Sequence, residues 1–528
     1  MFPWLTVLAV LPLAGAIVIT IAKQASARLI GLATSLAALV VGVVVLVLRL
    51  GGTELAERFS WLPALGSSYA LSVRGGYVTT ITEPPGIVYP AQISGFGGVG
   101  LAMALLTVVL VPLVLIAEWR QRSGEDGRWG AKGFVGLVLL VESFSLFAFL
   151  ADDLLLFYVF FEATLIPMYF LIGGGNGAKR TKAATKFLLF GLAGGLIMLF
   201  GVIGVGALTA DIGAVSFGFD DIAALGASTP WVGRVIFLAF FIAFALKAPM
   251  VPGHTWLPDA AEASTPGGAA LMVGILDKLG TFGMIRVCLW VFPVESNWAA
   301  PVLLILALIS IFYGALAAIA SKNLMRLVAF TSISHFGFMV LGVFAFTTQS
   351  LTGAMVLMVS HGLATGALYL LLGFLIARRG SANVNDYGGV VKLAPLLAGF
   401  TLVAGLASLA LPGTANFISE FLVVAGTWGR HHVIAGIALL GTVLAALYIL
   451  WLYQRLMTGK PPDEVERHVT SDLNWRERLA VIPLIALLLI FGFYPKPVLD
   501  LVADTSGVAM GAMTHAGVTD PSVVTEGK

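Results

Sequence analysis

Residues 235–252 read VIFLAFFIAFALKAPMVP, and residues 271–285 read LMVGILDKLGTFGMI. Each is a long apolar stretch that carries a lysine, Lys247 in the first and Lys278 in the second. A charge at bilayer depth costs at least ~2.5–3.5 kcal/mol, so it persists mainly where it is used. Glu142, Glu162 and Glu420 sit in comparable surroundings. Buried titratable groups of both signs, in a chain with no visible cofactor motif, point to movement of protons or ions.

The rest of the chain agrees. Of 528 residues, 59% are hydrophobic and only 11% charged, against roughly 25% charged in soluble proteins. This is a polytopic membrane protein, with lipid as the solvent for most of its surface. The net charge of +2 comes with no basic cluster able to track a phosphate backbone, so nucleic acid is not a partner. The single cysteine, Cys288, excludes an intrachain disulfide, a cysteine-held iron–sulfur cluster and a CxxC metal site. MFPWLTVLAVLPLAGAIVIT at the amino terminus lacks a basic n-region and reads as a retained first span.

A helical span needs about 20 apolar residues. That window predicts an all-α fold with about fourteen spans, near 3–22, 29–50, 97–117, 131–151, 153–173, 183–208, 232–252, 266–292, 298–320, 323–346, 351–377, 394–428, 432–457 and 478–495. Segment 51–95 reads as a long polar connection, and the tail after Asp500 as exposed and poorly ordered. Connections after odd-numbered spans collect the cations: Lys23 and Arg28; Arg120, Arg122, Arg128 and Lys132; Lys179, Arg180 and Lys182; Lys322 and Arg326; Arg378, Arg379 and Lys392; Arg455 and Lys460. The positive-inside rule then puts those loops in the cytoplasm and both termini on the outer side.

Two spans are interrupted, the seventh by KAPMVPGHTWLPDA and the twelfth by LASLALPGTANFISEFL. Proline removes a backbone donor and clashes with the preceding turn. Such breaks survive in a membrane only where protein or water satisfies the freed groups. Paired interruptions five spans apart predict two inverted five-helix repeats, helices 4–8 (131–292) and 9–13 (298–457), with a site near the midplane. Residues 1–130 then hold three preceding helices and 458–528 a cytoplasmic loop, the last helix and the tail.

Glu162 and Lys247 lie deep in their spans. Burial disfavours the charged form of either group and a nearby opposite charge favours it, so a movable Glu162–Lys247 contact would act as a switch. The plainer alternative is a static ion pair that fixes helix packing. Lys278 has only Asp277 as a neighbour of opposite sign in its own span, and Asp277 must point elsewhere on the helix. His335 and His361, with Thr331, Ser332, Ser334 and Ser360, could line a hydrated path, and His254 stands beside the first break. Glu420 follows the second break as the natural exit group, and Glu142 pairs within the first repeat or supports entry, the plainer alternative being a hydrogen bond to a neighbouring helix. No HxxxH or HExxH spacing is present, so no metal site is expected. Gly95, Gly97 and Gly100 fit GxGxxG, but no strand–helix context accompanies them; small residues at the start of a packed helix explain the pattern.

The stretches DLLLFYVFFEATLIPMYFLI, ALKAPMVPGHTWLPDA, GILDKLGTFGMIR, KNLMRLVAFTSISHFGFM, HGLATGALYLLLG and LPGTANFISEF resemble the antiporter-like membrane subunits of proton-translocating NADH:quinone oxidoreductase, respiratory complex I. The resemblance implies fourteen helices with two inverted repeats, and proton-translocation roles for Glu162, Lys247, Lys278 and Glu420, with His254, His335 and His361 on the path. A glutamate in NFISEF looks like the M-type branch; the L- and N-type branches usually carry another residue there. It further implies adjacent antiporter-like subunits as partners, a bacterial inner (plasma) membrane location, and flavin, iron–sulfur clusters and quinone held by partner subunits, with no redox centre here. Two departures stand out. After LPDA the family generally has His and, two positions later, Glu; this chain has Ala261, Glu262 and Ala263. The family's Asp-Gly before the third span is replaced by FGGVG. Competing readings are a subunit of a multisubunit cation/proton antiporter and a non-conducting scaffold between membrane subunits.

Overall fold

The computed structural model describes residues 2–62, 65–74, 77–78, 93–94, 97–120, 130–175, 179–211, 213–223 and 230–521. Gly95, Arg122 and Arg128 lie outside these. Among the described residues eleven helices are long and apolar enough to cross a membrane, or twelve when Trp475–Phe493 and Lys496–Thr514, bent by 72°, count as one span. The two remaining expected spans are the interrupted ones. The first is Pro230–Lys247, followed after a break by Trp256–Ala263; the second is Pro395–Ser408, followed by Ala415–Arg430.

Burial sorts the helices into a centre and a rim. Pro266–Leu289 and Thr348–Arg379 have fully buried spans, and Leu324–Phe344 is 94% buried, so these three have no lipid face. By contrast, Ala27–Leu50, Arg180–Asp211 and His432–Met457 are only about a third buried and turn Val40, Leu196, Ile203 and Val443 outward. Lys278, His335 and His361 all belong to the three central helices. Polar side chains therefore sit where no lipid reaches them.

Two sequence readings are corrected. Segment 51–95 contains an antiparallel hairpin, Ala56–Leu62 with Ser67–Ser72, paired from Ala56↔Ser72 to Leu62↔Ser67. The strands are short and lie among Gly and Pro, so their alternation is weak in the sequence. The hairpin's Glu57 accepts from Leu5 N at 2.8 Å and Thr6 N at 2.9 Å, satisfying orphan donors at the start of Trp4–Ile21. Asp153 caps Leu154–Ala163 through Leu156 N and holds Ser67 Oγ and Ser68 N of the hairpin. Second, the tail continues past Asp500 as the helix Lys496–His515, with Val502, Ala509 and Met513 buried. Thr505 Oγ1 accepts from Val99 N there, so contacts with the third span order a segment whose sequence is only weakly apolar. Gly97 and Gly100 open the helix Gly97–Ala117 against the backbone of Val73 and Phe149.

Candidate functional site

Lys247 is the last residue before the first break. Its Nζ donates to Phe161 O at 3.2 Å and Thr164 Oγ1 at 3.0 Å and stands 4.5 Å from the centre of the Phe161 ring. Those acceptors flank Glu162, at a point where helix Leu154–Ala163 gives way at Thr164 to Leu165–Gly173. Pro167, with no N–H to offer the turn before it, accounts for the interruption. Glu162 itself is half-buried and makes no ion pair with Lys247 within 4.0 Å. Its carboxyl lies against Arg180–Asp211 at Gly195, where an added Cβ would sit 2.2 Å from the carboxyl carbon. The expected Glu162–Lys247 contact is thus open: the lysine rests on the backbone and hydroxyl beside the glutamate. A narrow recess adjoins Lys247, lined by Phe161, Leu165, Leu246 and Trp256 among others.

Lys278 is fully buried. It follows a stretch of wider π-helix, Met272–Leu276, in which carbonyls are released from the usual i→i−4 ladder. Its Nζ donates to Val273 O at 2.6 Å and lies 2.7 Å from His361 Nδ1. The His361 and His335 rings are 5.0 Å apart between centres. His335 presents Nδ1 to Thr331 O at 2.7 Å and Nε2 to Ser408 O at 2.8 Å, and Nε2 is also 3.3 Å from Glu420 Oε1. Both nitrogens face carbonyl oxygens, and the doubly protonated ring is the form with a donor for each. Ser408 O is available because Pro395–Ser408 ends there. The second break therefore serves the site through a backbone oxygen that no side-chain pattern announces.

This arrangement joins Lys278, His361, His335 and Glu420 into one buried line. Glu420 makes the ion-pair approach to His335 but no hydrogen bond, since the Nε2–H is directed at Ser408. Buried polar atoms without a hydrogen-bond partner among the described residues cluster around the line: His361 Nε2, both Glu420 oxygens, the Asn416 amide and Tyr448 Oη. Such atoms are normally satisfied by ordered water. Asn416 and Tyr448 carry no signal in the sequence beyond being polar residues in apolar runs. Ser360 Oγ reaches Ser419 Oγ at 3.1 Å, beside Glu420. Thr331, Ser332 and Ser334 instead bond backbone carbonyls with their hydroxyls.

The other two candidates stand apart. Glu142 is fully buried, and neither oxygen has a hydrogen-bond partner among the described residues, so the hydrogen bond to a neighbouring helix is not formed. His254, buried in the first break, packs against Tyr313 at 4.5 Å between ring centres. Of the departures at 261–263, Ala261 and Ala263 are buried while Glu262 faces out. Glu262 Oε2 accepts from Arg326 Nη1 at 3.0 Å, the same nitrogen that bonds Asp259 Oδ1 at 2.5 Å. Asp259 also accepts from Lys186 at 2.7 Å. The displaced carboxylate ties Trp256–Ala263 to the helix Leu324–Phe344.

Comparison with known proteins agrees with this architecture. A family model described as "NADH:quinone oxidoreductase/Mrp antiporter, TM" matches residues 151–445, a range that includes every candidate above except Glu142. The chain is 44% identical to NADH-quinone oxidoreductase subunit M of Mycobacterium tuberculosis (strain ATCC 25618 / H37Rv), covering 98% of this chain and 96% of the relative. A chain of respiratory complex I from Thermus thermophilus superposes with TM-score 0.83 at 28% identity, covering 96% of this chain and 99% of that one. A chain of the Mrp complex from Dietzia sp. DQ12-45-1b has TM-score 0.80 at 20% identity, covering 98% and 99%, which is a likeness of fold alone. The chain therefore belongs to the NADH:quinone oxidoreductase/Mrp antiporter transmembrane family, in the M-type branch of complex I subunits.

Proposed function

We propose that this chain is a proton-pumping subunit of a complex I membrane arm, moving protons through Glu162, Lys247, Lys278, His361, His335 and Glu420. The observation that supports it most is the buried succession from Lys278 to His361 Nδ1 at 2.7 Å, through the packed His361 and His335 rings 5.0 Å apart between centres, to Glu420 at 3.3 Å from His335. Redox energy arrives from partner subunits, which hold the flavin, iron–sulfur clusters and quinone, as a shift in where Lys247 rests. In one state its Nζ sits on Phe161 O and Thr164 Oγ1; in the other it meets the Glu162 carboxylate. Two unit charges at 4 Å attract by about 4 kcal/mol at an effective dielectric of 20. Opposing membrane potential amounts to ~2.3 kcal/mol per charge per 100 mV. The switch is of the right size.

The same reading carries fourteen spans in a bacterial inner membrane, with both termini outside and the inverted repeats at 131–292 and 298–457. It is supported by the cation-rich odd loops and by the two broken helices. Glu142 and His254 serve as peripheral path groups. The test is Lys247→Ala in the assembled enzyme in inverted membrane vesicles. Coupled quinone reduction and proton uptake should both fall at least roughly tenfold; unchanged pumping would remove the mechanism.

A further inference from the structure

We infer that Asp277 is a relay carboxyl that carries the proton from Lys247 to Lys278, an interval that none of the residues assigned above spans. The inference rests on the relay reading of the preceding subsection.

Asp277 is 1% exposed, and neither carboxylate oxygen has a hydrogen-bond partner among the described residues. A buried carboxylate left without a partner is costly, and a packing residue would not be expected to stay so. It stands at the end of the π-helical stretch, its N–H bonding Met272 O at 3.1 Å. Successive residues of a helix point in different directions. Lys278 is turned to His361 and to the Phe336 ring, so Asp277 looks elsewhere.

Where it looks follows from Gly280, three residues on and therefore on the same face. A Cβ on Gly280 would sit 2.5 Å from Phe244 O and 2.7 Å from Ala248 N, the backbone on either side of Lys247. The Asp277 face is thus the one pressed against the end of Pro230–Lys247. Both Lys247 and Lys278 are near enough for their charges to act on its carboxylate. No hydrogen bond to a described residue ties the carboxyl to either lysine.

One proton moves and no electron. An N–H bond of the Lys247 ammonium breaks and an O–H bond forms on Asp277, leaving a neutral amine and a neutral acid. That O–H bond then breaks as an N–H bond forms on the Lys278 amine, which restores the carboxylate and leaves an ammonium beside His361 Nδ1.

The experiment compares Asp277→Asn, Asp277→Glu and Lys278→Ala in the whole assembled enzyme in membrane vesicles. Assembly is measured by native gel, pumping by a pH dye, and the carboxylic C=O stretch by infrared difference spectroscopy. Expected for Asp277→Asn are a fall in pumping of at least roughly tenfold, normal assembly and loss of one carboxylic band. Asp277→Glu should recover most of the pumping. Normal pumping in Asp277→Asn with lost pumping in Lys278→Ala overturns this inference and leaves the relay reading standing. Normal pumping in both overturns the relay reading itself. Lost pumping with every carboxylic band intact marks a structural role and also overturns the inference. Should Asp277→Asn not assemble, the smaller Asp277→Ser serves the same comparison.

Discussion

His335 Nε2 lies 3.3 Å from Glu420 Oε1 while it bonds the carbonyl of Ser408 at 2.8 Å. The imidazole is therefore held by backbone from the broken helix and only approached by the carboxylate. Glu420 is left able to leave without dismantling the ring's support, as an exit group needs. Glu420→Gln keeps the size and removes the charge. Pumping in vesicles should drop at least roughly tenfold while the complex assembles normally. Unaltered pumping would place the exit elsewhere.

Gly195 gives the Glu162 carboxyl its seat. In Gly195→Ala the added methyl would stand 2.2 Å from the carboxyl carbon, so the side chain must swing away. The atoms that must move are the far end of a flexible side chain, so the cost in stability stays below the ~1–3 kcal/mol of overpacking a rigid core. The expected outcome is impaired pumping with a modest fall in thermal stability. Normal pumping would show that Glu162 does not work from this position.

Arg326 joins Asp259 and Glu262 with all three side chains about a third or more exposed. Exposed pairs contribute about 0.2–1 kcal/mol each. Arg326→Ala should lower the unfolding free energy of the detergent-solubilised protein by about 1 kcal/mol, and Glu262→Gln by less, read from thermal melts.

Asp152 binds both Arg286, at 2.5 Å, and Arg74 of the hairpin region, at 3.2 Å. The Arg286 pair is buried, with its side chain 4% exposed. Removing one member of such a pair costs about 3–5 kcal/mol. Asp152→Ala should destabilise the protein far more than Arg326→Ala. Equal effects in the two melts would contradict the burial argument.

Glu118, just outside the third span, is buried and accepts from Gly267 N at 2.6 Å. Burial pushes its carboxyl up from the usual 4.5 to about 7, outweighing the opposing Gly267 and Thr265 hydrogen bonds and the Arg476 charge. Between those values the folded protein holds a proton that the unfolded chain releases. Stability from this group is therefore fully present below 4.5 and lost as pH rises through about 7. Melting temperature should decline over that window, and Glu118→Gln should flatten the decline. A slope unchanged by the substitution would assign it to another group.

Much of this protein is written locally. Apolar runs mark the spans, and Pro249, Pro252, Pro258 and Pro412 mark the two breaks. Lys247, Lys278 and Glu420 announce themselves by their cost in lipid. None of that needs a neighbour, because hydropathy and proline chemistry act within about 20 residues of chain.

What touches what was decided only by packing. The sequence does not encode that Lys278 meets His361, 83 positions away, or that Lys247 settles beside Glu162 rather than on it. Nor does it encode the π-helical turns that aim Lys278 and Asp277 apart, or the helical tail held by the third span. These depend on helix rotation and on carbonyls freed by distant contacts. Turning a helix by one residue, about 100°, points a side chain at a different neighbour, and a one-dimensional pattern of spans that are hydrophobic on every face leaves that angle undetermined.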